Sequence, residues 1–210
     1  DVYKRQGEDQ EKDYQYARAQ LYDLVEKMQE SIDGAMEVAQ ERAIKLRAST
    51  DWLVAAKYGV MFHWMPSTQP KRGLAKPFPV AVRDFDVNAF ADMVQETGAG
   101  YVIFTAPHGI QWFPGPIQMI VKILPGRTCA RDLIGDMADV LEKRGIKLIL
   151  YYHHGVGDHQ WVKASGFLNK DKSQFFKNEA NILTEIGLRY GKKVAGFWFD
   201  AVSYTHLTLP

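Results

Sequence analysis

An α/β fold with a parallel sheet is predicted by three observations. Four short runs, at 58–64, 101–106, 147–152 and 194–199, are apolar almost throughout and rich in Val, Ile, Phe and Tyr. Continuous apolar character suits strands covered on both faces, as in parallel sheets. Stretches of helical periodicity lie between the runs, and alternating strands and helices give a parallel α/β arrangement. The run centres are about 40–50 residues apart, which leaves room for a crossover helix each time.

The elements follow in order. Residues 8–49 read as helical, with Tyr14, Leu21, Leu24, Met28 and Ile32 on one stripe among Glu, Lys and Gln. This stripe is expected to pack on the domain that follows, the heptads being too few for a coiled coil. Asp33-Gly34 is a candidate break, because glycine is costly inside a helix. The first strand run follows, and then a loop with Lys71, Arg72 and Lys76 among Pro70, Pro77 and Pro79, expected to be solvated. A helix over 87–97 carries Phe90, Met93 and Val94 and stops at Gly98. Another over 131–144 carries Leu133, Ile134, Met137 and Leu141 and stops at Gly145. A third over 175–190 carries Ile182, Ile186 and Leu188 and stops at Gly191. Glycine directly after a helix is a C-terminal stop signal. Gly115-Pro116 and Pro125-Gly126 mark turns.

Composition narrows the function. A net charge of +1 gives no electrostatic case for a nucleic-acid or acidic-membrane partner. No apolar run reaches the roughly 18–20 residues of a spanning helix. The one cysteine, Cys129, excludes an internal disulfide and a cysteine-built zinc site. No phosphate-binding glycine motif follows a strand, so no nucleotide cofactor is implied, and none of another kind is expected. At 210 residues the chain is ample for one domain but short for a closed (β/α)8 barrel, which typically needs about 250.

The two ends read as foreign to the domain. Asp1-Val2-Tyr3-Lys4-Arg5-Gln6 is what GAT GTG TAT AAG AGA CAG encodes, a string that resembles a transposase mosaic-end sequencing adapter. The reverse complement of that adapter and its usual continuation encode Val202-Ser203-Tyr204-Thr205-His206-Leu207-Thr208-Leu209-Pro210. Residues 1–6 and 202–210 are therefore expected to be adapter-derived and are set aside from fold reasoning. In that frame only the first base of codon 201 is native, and Ala201 stands where Gly, Ala, Val, Asp or Glu would. The expected organisation is a helical segment over 7–50 and a catalytic portion over 51–201.

Polar residues gather where the strand runs end. His63 ends the first, His108 follows the second, His153 and His154 end the third, and Asp200 ends the fourth. Carboxyl ends of parallel strands carry the chemistry of barrel enzymes and of open α/β sheets alike. Trp64, Trp112, Phe113, Tyr151, Tyr152 and Trp198 crowd the same ends. Aromatic faces beside imidazole and carboxylate suit a sugar, whose C–H faces stack while its hydroxyl groups need hydrogen bonds. His159 and Asp158 lie in a Gly-rich loop beyond the third run and are expected at the solvent surface.

These residues carry a resemblance. Lys57-Tyr58-Gly59-Val60-Met61-Phe62-His63-Trp64 resembles the first-strand signature of the α-L-fucosidases of glycoside hydrolase family 29. Thr105-Ala106-Pro107-His108 resembles that family's segment after strand two, and Leu148-Ile149-Leu150-Tyr151-Tyr152-His153 its third strand. Gly196-Phe197-Trp198-Phe199-Asp200 is similar to its nucleophile segment, and order and spacing agree over about residues 52–200. The resemblance implies a truncated (β/α)8 TIM barrel, its first four strands present and preceded by the helical segment. It implies Asp200 as nucleophile, a fucosylated or related glycan as substrate, and no metal. Substrate contacts would come from His63, Trp64, His108, Tyr152, His153 and Trp198.

The family's members are retaining enzymes, which implies a covalent glycosyl–Asp200 intermediate and a second carboxyl group about 5–5.5 Å away. In the family that acid/base residue comes later in the chain, so this portion alone is expected to be inactive. The pattern departs at Gly109, where the family has a second histidine, and at Ile110-Gln111-Trp112, where it has Asp-Gly-Phe. Residues 67–83 also lack the family's acidic sugar contact. Two other readings fit the residues. One is a sugar-binding relative without turnover. The other is a metal-dependent barrel hydrolase with His63, His108, His153 or His154, and Asp200 as ligands.

Overall fold

The computed structural model describes residues 2–46, 48–65 and 73–200, and the chain divides between Thr50 and Asp51 into two compact units. The first unit is one helix, α1 (Val2–Leu46). It runs unbroken through Gly34, so the expected break at Asp33-Gly34 is not there. One glycine costs about 1 kcal/mol, which a long helix tolerates, and Gln29 Nε2 donates to Asp33 Oδ1 across that turn at 2.9 Å. Leu21, Leu24, Met28 and Ile32 are exposed, and the side chain of Tyr14 lies outside the described residues.

The second unit is α/β. After α2 (Asp51–Ala56), strand β1 (Gly59–Phe62) leads through α3 (Phe78–Arg83) and α4 (Val87–Glu96) to β2 (Tyr101–Thr105). Helices α5 (Gln118–Ile123) and α6 (Leu133–Glu142) lead to β3 (Lys147–His153), and α7 (His159–Ala164) and α8 (Ser173–Tyr190) to β4 (Val194–Asp200). The sheet order is β1-β2-β3-β4 and every pair is parallel. All four predicted strands and the three long predicted helices are present, with ends shifted by no more than two residues.

Four short helices escaped the sequence. Each of α2, α3, α5 and α7 has six residues, under two turns, so no apolar period can show. Helix α3 also carries Phe78-Pro79 in its first turn, where proline's missing N–H costs nothing. The loop expected to be solvated therefore contributes a helix, and Lys76 pairs with Asp84 at 2.8 Å. Pro70, Lys71 and Arg72 lie outside the described residues.

One sheet face packs on the helices. Val102, Phe104, Leu148, Leu150 and Tyr152 point to that side and join Phe90, Val94, Leu133, Ile134, Met137, Leu141, Ile182 and Ile186 in the core. Each large side chain so buried contributes roughly 1.5–3 kcal/mol of transfer free energy. Met93 and Leu188, expected on the buried stripes, are exposed because they fall off the arc of Phe90–Val94 and of Ile182–Ile186. Side chains are anchored at the helix starts: Asp86 accepts from the N–H groups of Asn88 and Ala89, and Asp132 from that of Gly135. Arg131 Nη1 donates to the carbonyls of Val82, Arg83 and Phe85, each at 2.8 Å, and so closes the end of α3. The opposite sheet face is open at Met61 and Trp198, which are 38% and 51% exposed.

Candidate active site

Alternation along each strand decides which side chains meet on the open face. Phe62 packs on Phe90 of the helix layer, so His63, one residue on, turns to the other side. His108 reaches the same place from the loop after β2. On β3 the side chains of Tyr151 and His153 share that face, and on β4 those of Trp198 and Asp200 do, each paired with its β3 neighbour. The rings of His63 and His108 lie 5.1 Å apart edge to face, and Tyr151 lies 4.8 Å from His63. His108 stacks on Tyr151 at 5.5 Å and stands 6.0 Å from His153. The Tyr151 hydroxyl donates a hydrogen bond to Asp200 Oδ2.

The structure thus brings together His63, His108, His153, Trp198 and Asp200, whereas Trp64 and Tyr152, expected beside them, pack on the helix side. Trp64 stacks on Phe104 at 5.8 Å and meets Phe78 and Phe85. One side of it borders a cavity of about 460 Å3 shared with Phe78, Trp112, Pro107 and His108. Tyr152 is 2% exposed; its hydroxyl donates to Glu179 Oε2 at 2.8 Å and accepts from Gln111 Nε2 at 3.2 Å. Tyr151 takes the place expected of Tyr152. The period of two carried that signal, since neighbours on a strand cannot share a face and His153 already claims it.

His154 is 2% exposed, between Phe167 and Phe175, so it is no alternative ligand beside Asp200. His159 is exposed as expected. Asp158 is not: it is buried, begins α7, and pairs with Arg127 at 3.0 Å. Gly109 has φ +69° with no heavy atom near its missing Cβ. A Cβ would find space there, but in a left-handed backbone that non-glycine residues adopt at a cost of roughly 1–2 kcal/mol. Among the described residues no group of three His, Cys, Asp or Glu is arranged to hold a metal ion. Among them, too, no helix is long and apolar enough to cross a membrane.

The electrostatics follow from the packing. Burial, then the nearby His63, lowers the pKa of His108, against the pull of Asp200. His153 is lowered by burial and then by His108, again against Asp200. Both rings are therefore neutral at neutral pH, each with one N–H to donate and one nitrogen to accept. Burial raises the phenol of Tyr151, and the bond to Asp200 raises it further, so it stays a donor. One carboxylate bonded to a phenol thus lies beside three imidazoles, with Trp198 on the same sheet face.

Behind the sheet, burial pushes Glu179 up to about 7 while the Tyr152 hydroxyl opposes the shift. A carboxyl group that holds its proton more tightly when folded costs stability once the unfolded chain has lost that proton. Stability should therefore fall as pH rises from about 4.5 to about 7, by about 1–3 kcal/mol. Glu179→Gln is expected to remove this slope, raising the melting temperature at pH 8 and leaving it unchanged at pH 4. A variant less stable than the parent at pH 8 contradicts this.

Carboxylate, imidazoles and aromatic faces at the carboxyl ends of parallel strands define an α/β protein with its polar cluster where enzymes of this architecture place their chemistry. The chain belongs to the alpha-L-fucosidase family, whose profile matches residues 74–206. No protein with a curated description matches it by sequence. Among solved structures, the chain is similar to the trapped covalent intermediate of a GH29 alpha-L-fucosidase from Bacteroides thetaiotaomicron, in complex with 2-fluoro-fucosyl fluoride. That match has 19% identity and a TM-score of 0.53, and covers 73% of this chain and 42% of the other. It is similar also to alpha-L-fucosidase isoenzyme 1 from Paenibacillus thiaminolyticus, at 19% identity, TM-score 0.52, and 71% and 42% coverage. A bacterial fucosidase with a monovalent iminocyclitol inhibitor gives 18%, 0.50, and 73% and 42%. The chain thus spans about two fifths of these structures, and its α/β architecture is that of part of a fucosidase catalytic domain.

Proposed function

We propose that residues 51–201 are the first half of a (β/α)8 catalytic barrel. The whole protein would hydrolyse terminal α-L-fucosyl or closely similar bonds with retention of configuration. The observation that carries this is the carboxylate of Asp200 at the end of β4, held by Tyr151 among three imidazoles in a chain of the alpha-L-fucosidase family. The open sheet face and the sequential order of four parallel strands support the half-barrel reading. In the mechanism Asp200 attacks the anomeric carbon as the bond to the leaving oxygen breaks, giving a covalent glycosyl–Asp200 ester. The trapped intermediate of the Bacteroides thetaiotaomicron relative is a precedent. Water then cleaves the ester, aided by the acid/base carboxyl group that had protonated the leaving oxygen. We place that group beyond residue 200, so residues 51–201 alone bind at most.

His63, His108 and His153 would hydrogen-bond the sugar hydroxyl groups, and Trp198 would take an apolar face. Tyr151 keeps the carboxylate aimed through its hydrogen bond. Proton NMR of sugar released by the full-length protein from an aryl α-L-fucoside should show the α anomer first. Initial β anomer would overturn retention, and fucose binding without turnover would favour the non-hydrolysing reading.

A further inference from the structure

We propose that a one-residue bulge at Ala195 is what turns Asp200 and Trp198 onto the face of His63, His108 and His153. The role given to Asp200 rests on the reading above; the geometry does not. Strand β4 pairs Val194 with Leu148 and then Gly196 with Ile149, so Ala195 is the extra residue. Val194 and Leu148 point to the helix layer. After the bulge Phe197 pairs with Leu150 and Phe199 with Tyr152, all on the helix side. Phe199 meets Tyr152 at 6.2 Å and stacks on Phe197 at 5.6 Å. Trp198 and Asp200 are left opposite Tyr151 and His153 on the open face.

An unbroken register gives the reverse result. Counting on from Val194–Leu148, Phe199 would pair with His153, and Trp198 and Asp200 would face the helices. A slip of one residue moves every later side chain to the other face, and a bulge is the local means of making it. Asp200 would then come beside His154, a position buried between two phenylalanine rings. The number of residues between Leu148's partner and Asp200, not their identity, positions the carboxylate. Ala195 acts through Asp200 and is a positioning residue.

The test sets deletion of Ala195 against the exchange Ala195→Gly/Gly196→Ala, which keeps the residue count. A Cβ at 196 meets nothing within 4 Å, so the exchange is tolerated. In this chain the NMR titration midpoints of His108 and His153, which the Asp200 charge raises, should drop in the deletion and stay put in the exchange. Unchanged midpoints in a folded deletion variant overturn the proposal. If the deletion does not fold, NOEs in the unaltered chain decide: Ile149 to Gly196 supports the bulge, Ile149 to Ala195 overturns it. In the full-length protein the deletion should depress kcat as far as Asp200→Ala does, with no further loss when the two are combined. A shift of midpoints without loss of kcat would keep the bulge and reject Asp200 as nucleophile.

Discussion

Replacing Asp200 by alanine in the full-length protein is expected to lower turnover of an aryl α-L-fucoside by about 10³–10⁵-fold, with fold and stability nearly unchanged. The carboxylate ends β4 on the open face and is bonded to Tyr151, so its loss removes the attacking oxygen and little packing. What distinguishes a nucleophile from a structural carboxylate is chemical rescue. Azide can enter the space left by the side chain and attack from the same side of the ring, which inverts the anomeric carbon and yields a β-fucosyl azide. Activity restored with that product identifies the bond that Asp200 makes. A variant that turns over like the parent would remove Asp200 from the chemistry. One rescued without an azide adduct would leave it an electrostatic part only. The Tyr151 phenol, once freed of its acceptor, should also titrate closer to its ordinary value.

Which parts of this arrangement can be read from residues alone follows from their length scale. Runs such as 147–152 declare a strand because every position after Lys147 is apolar, and the helices around Phe90 and Ile182 span enough turns for a period to show. Helices of six residues make fewer than two turns, too few for a period to show, so α3 and α7 look like loops. The site divides in the same way. Strand ends place His63, His108, His153 and Asp200 at one rim, and Tyr151 was within reach through alternation from His153. The bulge was not: Val-Ala-Gly-Phe-Trp-Phe-Asp reads as one even strand, and only pairing with β3 shows that Ala195 is skipped. Nor could Asp158 be placed. Next to glycines and a histidine it looks like solvent-facing loop, and its burial depends on Arg127, 31 residues earlier.

That pair leads to the largest expected effect on stability. Asp158→Ala should cost about 3–5 kcal/mol, because it strands a guanidinium in a site with little access to water. Arg127 and Asp158 have side chains 11% and 6% exposed and meet at 3.0 Å. The carboxylate also accepts from the N–H groups of Gln160 and Trp161 at 3.1 and 3.2 Å, starting α7, and from that of Gln111 at 3.3 Å. Arg127 in turn donates to Gln160 Oε1 at 2.8 Å and lies over the ring of Trp112. The ion pair therefore joins the α5–α6 loop to the loop that follows His153, and the Gln111 bond ties in the loop that carries His108. Asp158→Asn keeps the acceptor oxygen for the helix start and loses the charge, so it should cost less, about 1–3 kcal/mol. Arg127→Met with Asp158→Ala should cost less than the sum of the two single changes, since neither leaves the other's charge buried alone. Urea denaturation of the chain measures all four, with midpoints read at constant slope. A loss under about 1 kcal/mol for Asp158→Ala, or strict additivity in the pair, would show that the two loops are held by their apolar contacts and not by this bridge.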